Sequence, residues 1–124
     1  MNERIHGDLT EKIIGSAFEV HNELGSGFLE GVYEEALCIE LWKKGIDFEE
    51  QKELEIVYKN KPLKHTYKAD LLVGGKIIVE LKATSGLTNN DEAQLVNYLK
   101  ASGIKVGLLI NFGLSKLEIR RRVY

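Results

Sequence analysis

The sequence predicts an α+β fold in one domain spanning residues 1–124, a mixed β-sheet flanked by helices. Three observations lead there. Two stretches with apolar residues at helical spacing open the chain, and three extended segments joined by tight turns follow. A third helical stretch then precedes a short apolar strand. Strands joined by tight turns run antiparallel, whereas a strand reached through a crossover helix adds in parallel, so the sheet is mixed.

Asp8 or Thr10 is placed to cap the first helix, along which Ile13, Ile14, Ala17, Phe18, His21 and Leu24 recur. Gly25-Ser26-Gly27 interrupts it. The second helix runs from Leu29 to Lys44 and stops at Gly45, the residue type favoured just past a helix end. Extended segments cover Asp47 to Tyr58, His65 to Val73 and Lys76 to Ala83. Lys59-Asn60-Lys61-Pro62 turns between the first two and Gly74-Gly75 between the others. Thr88, Asn89 and Asn90 offer caps for the third helix, which ends near Ser102. Lys105 to Phe112, which reads KVGLLINF, is a buried strand, and Leu117 to Val123 is a further one. The order from Leu29 to Phe112 is α-β-β-β-α-β, with no repeat, low-complexity segment or linker.

A chain of 124 residues, 44% hydrophobic and 29% charged, has enough apolar surface for a core of its own. One cysteine, Cys38, excludes an internal disulfide framework and fits a reducing compartment. No apolar run reaches the length of a membrane span and MNERIHGDLTEK lacks a signal-peptide core, so a cytoplasmic location without membrane association is expected. The net charge of −2 gives no global pull toward nucleic acid. The charge is unevenly spread, however. Lys59, Lys61, Lys64, His65 and Lys68 surround Pro62, Arg120-Arg121-Arg122 lies near the end of the sequence, and acidic residues crowd the first half.

The segment KIIVELKA (residues 76–83) sets Glu80 and Lys82 two places apart, on one face of an otherwise apolar strand. A three-residue loop, Gly74-Gly75-Lys76, puts Val73 opposite Ile77 and Asp70 opposite Glu80. Leu71, Val73, Ile77, Val79 and Leu81 then share one face, and Asp70, Leu72, Ile78, Glu80 and Lys82 the other. A two-residue loop would reverse every side chain of one strand and mix the faces. Opposed carboxylates repel unless a proton or cation lies between them, and hard oxygen donors suit Mg²⁺ or Mn²⁺. The plain alternative is a solvent-facing Asp and a surface Glu–Lys pair without a ligand.

These residues resemble the signature of the PD-(D/E)XK nuclease superfamily, an acid on one strand and Asp/Glu-x-Lys on its neighbour, at Asp70 and Glu80-Leu81-Lys82. The core order α-β-β-β-α-β is also that of the restriction-endonuclease-like fold; Ala69 stands where the signature has Pro. Gln94-Leu95-Val96-Asn97-Tyr98 resembles the Gln-x-x-x-Tyr motif of RecB-like nucleases, with Gln94 and Tyr98 on one helix face. Gly27-Phe28-Leu29-Glu30-Gly31-Val32-Tyr33 is similar to the motif of the GxxExxY family, small bacterial and archaeal proteins of that superfamily.

The resemblance implies a metal-dependent nuclease acting on nucleic acid, DNA above all. It implies Asp70, Glu80, the Leu81 carbonyl and Glu30 as ligands of Mg²⁺ or Mn²⁺, and Lys82 as the residue that orients water or offsets charge. It further implies that Gln94 and Tyr98 orient substrate or Lys82. A helical wheel sets Glu30 inside the apolar arc, with Glu34 at its edge and second in rank. Lys59, Lys61, Lys64, Lys68, Arg120, Arg121 and Arg122 are candidate phosphate contacts. The rival is a catalytically silent nuclease-fold module acting with a homodimer mate or another protein. Tyr33 reads as a packing residue with a tethered hydroxyl before a catalyst, and His21 as a hydrogen-bonded structural histidine before one that lines the cleft. His6, His21, His65 and Cys38 lack zinc-type spacing, and Gly25 and Gly27 do not form a dinucleotide loop.

Overall fold

A computed structural model describes residues 4–124. Helix α1 covers Gly7–Leu24 and α2 covers Glu30–Lys43; strands β1 (Phe48–Tyr58), β2 (Lys61–Val73) and β3 (Ile77–Lys82) follow. Helix α3 (Asn89–Ser102) then crosses to β4 (Val106–Asn111), and β5 (Glu118–Val123) closes the sheet. The strands lie in sequence order, β1 to β5. All neighbours are antiparallel except β3 and β4, the pair joined through α3. The mixed sheet and its direction of pairing are therefore as the sequence implied.

The hairpin between β2 and β3 has the expected register, with Val73 opposite Ile77 and Leu71 opposite Val79. Gly74 and Gly75 both take positive φ, +60° and +68°, which a Cβ would oppose. The sheet has a core on each face. Leu71, Val73, Ile77, Val79 and Leu81 pack beneath α1 and α2, against Ile13, Ala17, Leu37 and Leu41. Leu72, Ile78 and Leu109 pack beneath α3, against Leu95 and Leu99.

Three local expectations need correction. The N-cap of α1 is His6, in the left-handed region and without a side-chain cap; the Thr10 hydroxyl instead donates back to the Gly7 carbonyl at 2.9 Å. Phe18 lies outside the core, 44% exposed, because α1 buries the narrower arc of Ile13, Ala17 and Val20. Strand β2 starts at Lys61 and not at His65. Lys59 and Asn60, both at positive φ, make a two-residue turn, and Pro62 is paired with Val57 next to a bulge in which Leu63 to His65 of β2 lie opposite Ile56 alone. By contrast Thr88 is the cap of α3, in a capping box: its Oγ1 accepts from the Asp91 N–H (3.1 Å) and the Asp91 carboxylate from the Thr88 N–H (2.9 Å).

Candidate functional site

Past Leu71 and Val79 the ladder between β2 and β3 gives way to side-chain bonds. The Leu81 N–H donates to Asp70 Oδ2 at 2.8 Å, and the Asp70 N–H donates to Glu80 Oε2 at 3.4 Å. Each acid thus takes a backbone donor of the opposite strand, which draws both carboxyls into the opening. Face alternation along β2 breaks at the same point. Leu71 packs beneath α1 and α2, while Tyr67 and Ala69, which strict alternation would send the same way, join Leu72 beneath α3.

Glu80 is half-buried and surrounded by acid. Burial, reinforced by the charges of Glu30 and Glu34, pushes its carboxyl from the usual 4.5 up to about 7, against the opposing pull of the Asp70 N–H and Lys82. Partial loss of hydration beside the sheet, and then the Asp70 charge, raise Glu30 and Glu34 as well. Lys82, one step beyond Glu80 on β3, has its Nζ 4.0 Å from Asp91 Oδ1, so the carboxylate that caps α3 also anchors the lysine.

The two candidates from α2 differ from the wheel reading. Glu30, the first residue of the helix, is exposed; Glu34, one turn on, is half-buried and its Oε1 accepts from Gln51 Nε2 at 3.0 Å. Tyr33 fixes the entry to this helix. Its hydroxyl donates to the Gly25 carbonyl (2.6 Å) and accepts from the Phe28 N–H (3.2 Å), while its ring stacks on Phe112 at 4.5 Å. His21 is likewise tied internally, its Nε2 2.9 Å from the Leu114 carbonyl.

Sequence reasoning missed Gln51. It sits on β1 between the pairs Glu50–Leu71 and Lys52–Ala69, and so opposite Asp70. Its φ is +48°, a left-handed conformation that costs a non-glycine residue about 1 kcal/mol or more. Its Nε2 donates to Glu34 and, at 3.5 Å, to Asp70 Oδ1. A glutamine in a charged strand carries no signal of such a conformation; a glycine there would have.

On α3, Tyr98 is half-buried and stacks on Tyr67 with centroids 3.3 Å apart. Burial and the Glu80 charge raise its hydroxyl above the ordinary phenol value. Gln94 is exposed one turn away, in a shallow groove with Asn90 and Asn97. The basic residues divide into two sets. Lys59, Lys61, Lys64 and Lys68 are exposed along the β1–β2 hairpin, with Lys59 over the Tyr58 ring. Arg120 and Arg122 are paired with Glu92, Arg120 also with Glu118, and Arg121 donates to the Ile5 carbonyl. The charge of Arg120 and Arg122 is thus already met.

Among the described residues no three His, Cys, Asp or Glu side chains converge on one metal-sized space. Asp70 and Glu80 offer two carboxylates, all oxygen donors, one of them desolvated and charge-starved. Magnesium is commonly held by one or two carboxylates with waters completing its shell, so this donor set fits it or manganese. Such a pair with an adjacent ammonium can gather a cation and an anionic oxygen in one place.

Comparison with known proteins agrees with the fold. The family model of the PD-(D/E)XK nuclease superfamily matches residues 7–122. The solved structure of SSO0001 superposes with a TM-score of 0.57 at 20% identity, over 95% of this chain and 59% of that one, a likeness of fold alone. This chain therefore spans just under three fifths of that structure's length. No curated protein matches it.

Proposed function

The chain belongs to the PD-(D/E)XK nuclease superfamily, and on that premise we propose that it is a divalent-metal-dependent nuclease hydrolysing phosphodiester bonds of nucleic acid, DNA in the first place. The observation that carries this reading is the pair of crossed bonds, Leu81 N–H to the Asp70 carboxylate and Asp70 N–H to the Glu80 carboxylate, with Lys82 two residues beyond Glu80. Asp70 and Glu80, with the Leu81 carbonyl and a carboxylate of α2, would hold Mg²⁺ or Mn²⁺. When bound, the cation supplies Lewis acidity, acidifying the attacking water and offsetting charge on the phosphate. Lys82, whose Nζ lies near Asp91, would orient water or neutralise a phosphate oxygen. Tyr98 and Gln94 line the α3 side and orient substrate.

The hairpin lysines are the free phosphate contacts. Nine residues of strand, about 30 Å, separate Lys61 from Asp70. A duplex lying along the arm would therefore extend about nine base pairs from the cut. Contacts of this kind position a substrate without reading its sequence.

The test is nicking of supercoiled plasmid or cleavage of single-stranded DNA in Mn²⁺. Activity that disappears in Asp70→Ala and Lys82→Ala supports the assignment, and activity that survives both rejects it. The small convergent donor set favours one second reading, a nuclease-fold module that binds without turnover. Tight Mn²⁺ binding without cleavage of any DNA or RNA would select it. Exposed Trp42 (75%) on α2 and Leu29 (81%) just before it support a second copy or another protein as partner in either case. The match of Gly27 to Tyr33 supports the narrower GxxExxY grouping. We also propose one domain over residues 1–124 and a cytoplasmic location. No described helix is long and apolar enough to cross a membrane.

A further inference from the structure

We propose that Gln51 is a positioning residue of the acid cluster, its left-handed backbone aiming the side-chain amide between Glu34 and Asp70. The inference rests on the metal site proposed above and goes beyond it in naming which α2 carboxylate is coupled to that site. Three observations meet at one register position. Gln51 is the strand's positive-φ residue, at +48°, and it lies opposite Asp70. Alternation along β2 breaks at Asp70 itself. The Gln51 amide reaches both Glu34 Oε1 (3.0 Å) and Asp70 Oδ1 (3.5 Å).

The chemistry of the side chain suits the place. Two carboxylates that approach each other need a donor between them, and an amide NH₂ has two hydrogens and no charge. Lysine would pair with the acids and compete with a cation; glutamate would add to the repulsion. With Leu81 N–H on Oδ2 and Gln51 Nε2 on Oδ1, the Asp70 carboxylate is held at both oxygens, and each keeps a lone pair for a cation. Glu34 is joined to this arrangement through the amide, whereas no hydrogen bond links Glu30 to it among the described residues. Strain retained in a residue that glycine would relieve points to a function for the side chain.

Gln51→Gly separates the two roles, because glycine adopts the conformation freely and lacks the amide. Gln51→Asn provides a second probe that tolerates the left-handed region but is one methylene too short to span both acids. Mn²⁺ affinity is read by electron paramagnetic resonance of the free ion, and folding by thermal melting in EDTA. Loss of a residue that orients metal ligands lowers affinity about 10- to 100-fold. That loss in either variant, with the melting point kept or raised in Gln51→Gly, supports the proposal. Affinity within about twofold of wild type in both variants, or a loss that only follows the fraction unfolded, overturns it while leaving the metal site standing. A wild-type protein that binds no Mn²⁺ overturns the metal site and this inference together.

Discussion

Glu80→Gln removes one negative charge from the opening between β2 and β3 but keeps an oxygen that accepts from the Asp70 N–H. Burial raises the Glu80 carboxyl from 4.5 to about 7. A carboxyl with a raised folded pKa is protonated in the folded chain at pH values where the unfolded chain has already lost the proton. Stability therefore falls as pH rises from 4.5 to about 7, and stays lower above. Each pKa unit is worth about 1.4 kcal/mol, so ionised Glu80 destabilises the metal-free protein by about 3 kcal/mol at pH 8 and under about 1 kcal/mol at pH 5. Thermal unfolding in EDTA should accordingly find Glu80→Gln more stable than wild type at pH 8, by roughly 10 °C in melting temperature, with little gap at pH 5. Saturating Mn²⁺ should restore wild type at pH 8 and leave the variant unchanged. A gap of equal size at both pH values refutes the reasoning, because Glu80 would then ionise as freely in the folded chain as in water.

Three further outcomes follow from the same packing. Asn111, fully buried, donates to the Thr84 carbonyl and Glu118 and accepts from the Thr84 and Gly113 N–H groups. Asn111→Leu orphans these partners and should cost about 3 kcal/mol in chemical unfolding, with faster amide exchange at Thr84. Gly113→Ala sets a Cβ onto the backbone of Thr84, which cannot swing aside, and should cost about 3 kcal/mol, read as a lower melting temperature. Burial pushes the Cys38 thiol up to about 12, so the native protein should resist a thiol reagent at pH 8 and react stoichiometrically in guanidinium.

The parts of the fold legible in the sequence were those where burial constrains residue type. Apolar alternation on both sides of Gly74-Gly75 admitted one clean sorting, and the register at Val73–Ile77 follows it. The start of β2 was not legible, because Lys61 to Thr66 project into solvent on a hairpin arm where no core enforces alternation. Phe18 misled for the opposite reason. An apolar residue at helical spacing is compatible with the core, but α1 buries a narrower arc than the spacing allowed. The cap at His6 left no trace, since no side chain makes it.

The site divides along the same line. Asp70, Glu80 and Lys82 stand out because a charge in an apolar strand violates the local pattern, and the violation needs a partner to be stable. Glu34 and Gln51 lie in polar segments where nothing is violated. Their proximity to Asp70 depends on how the first turns of α2 sit over β1, which is set by Tyr33 stacking on Phe112 some eighty residues away. A helical wheel knows the helix and not its neighbour, and so ranked the exposed Glu30 above the half-buried Glu34. If the amide of Gln51 couples Glu34 to Asp70, Glu34→Gln should weaken Mn²⁺ binding more than Glu30→Gln. The reverse order would restore Glu30 as the helix's contribution and reduce Gln51 to a strained turn in the strand.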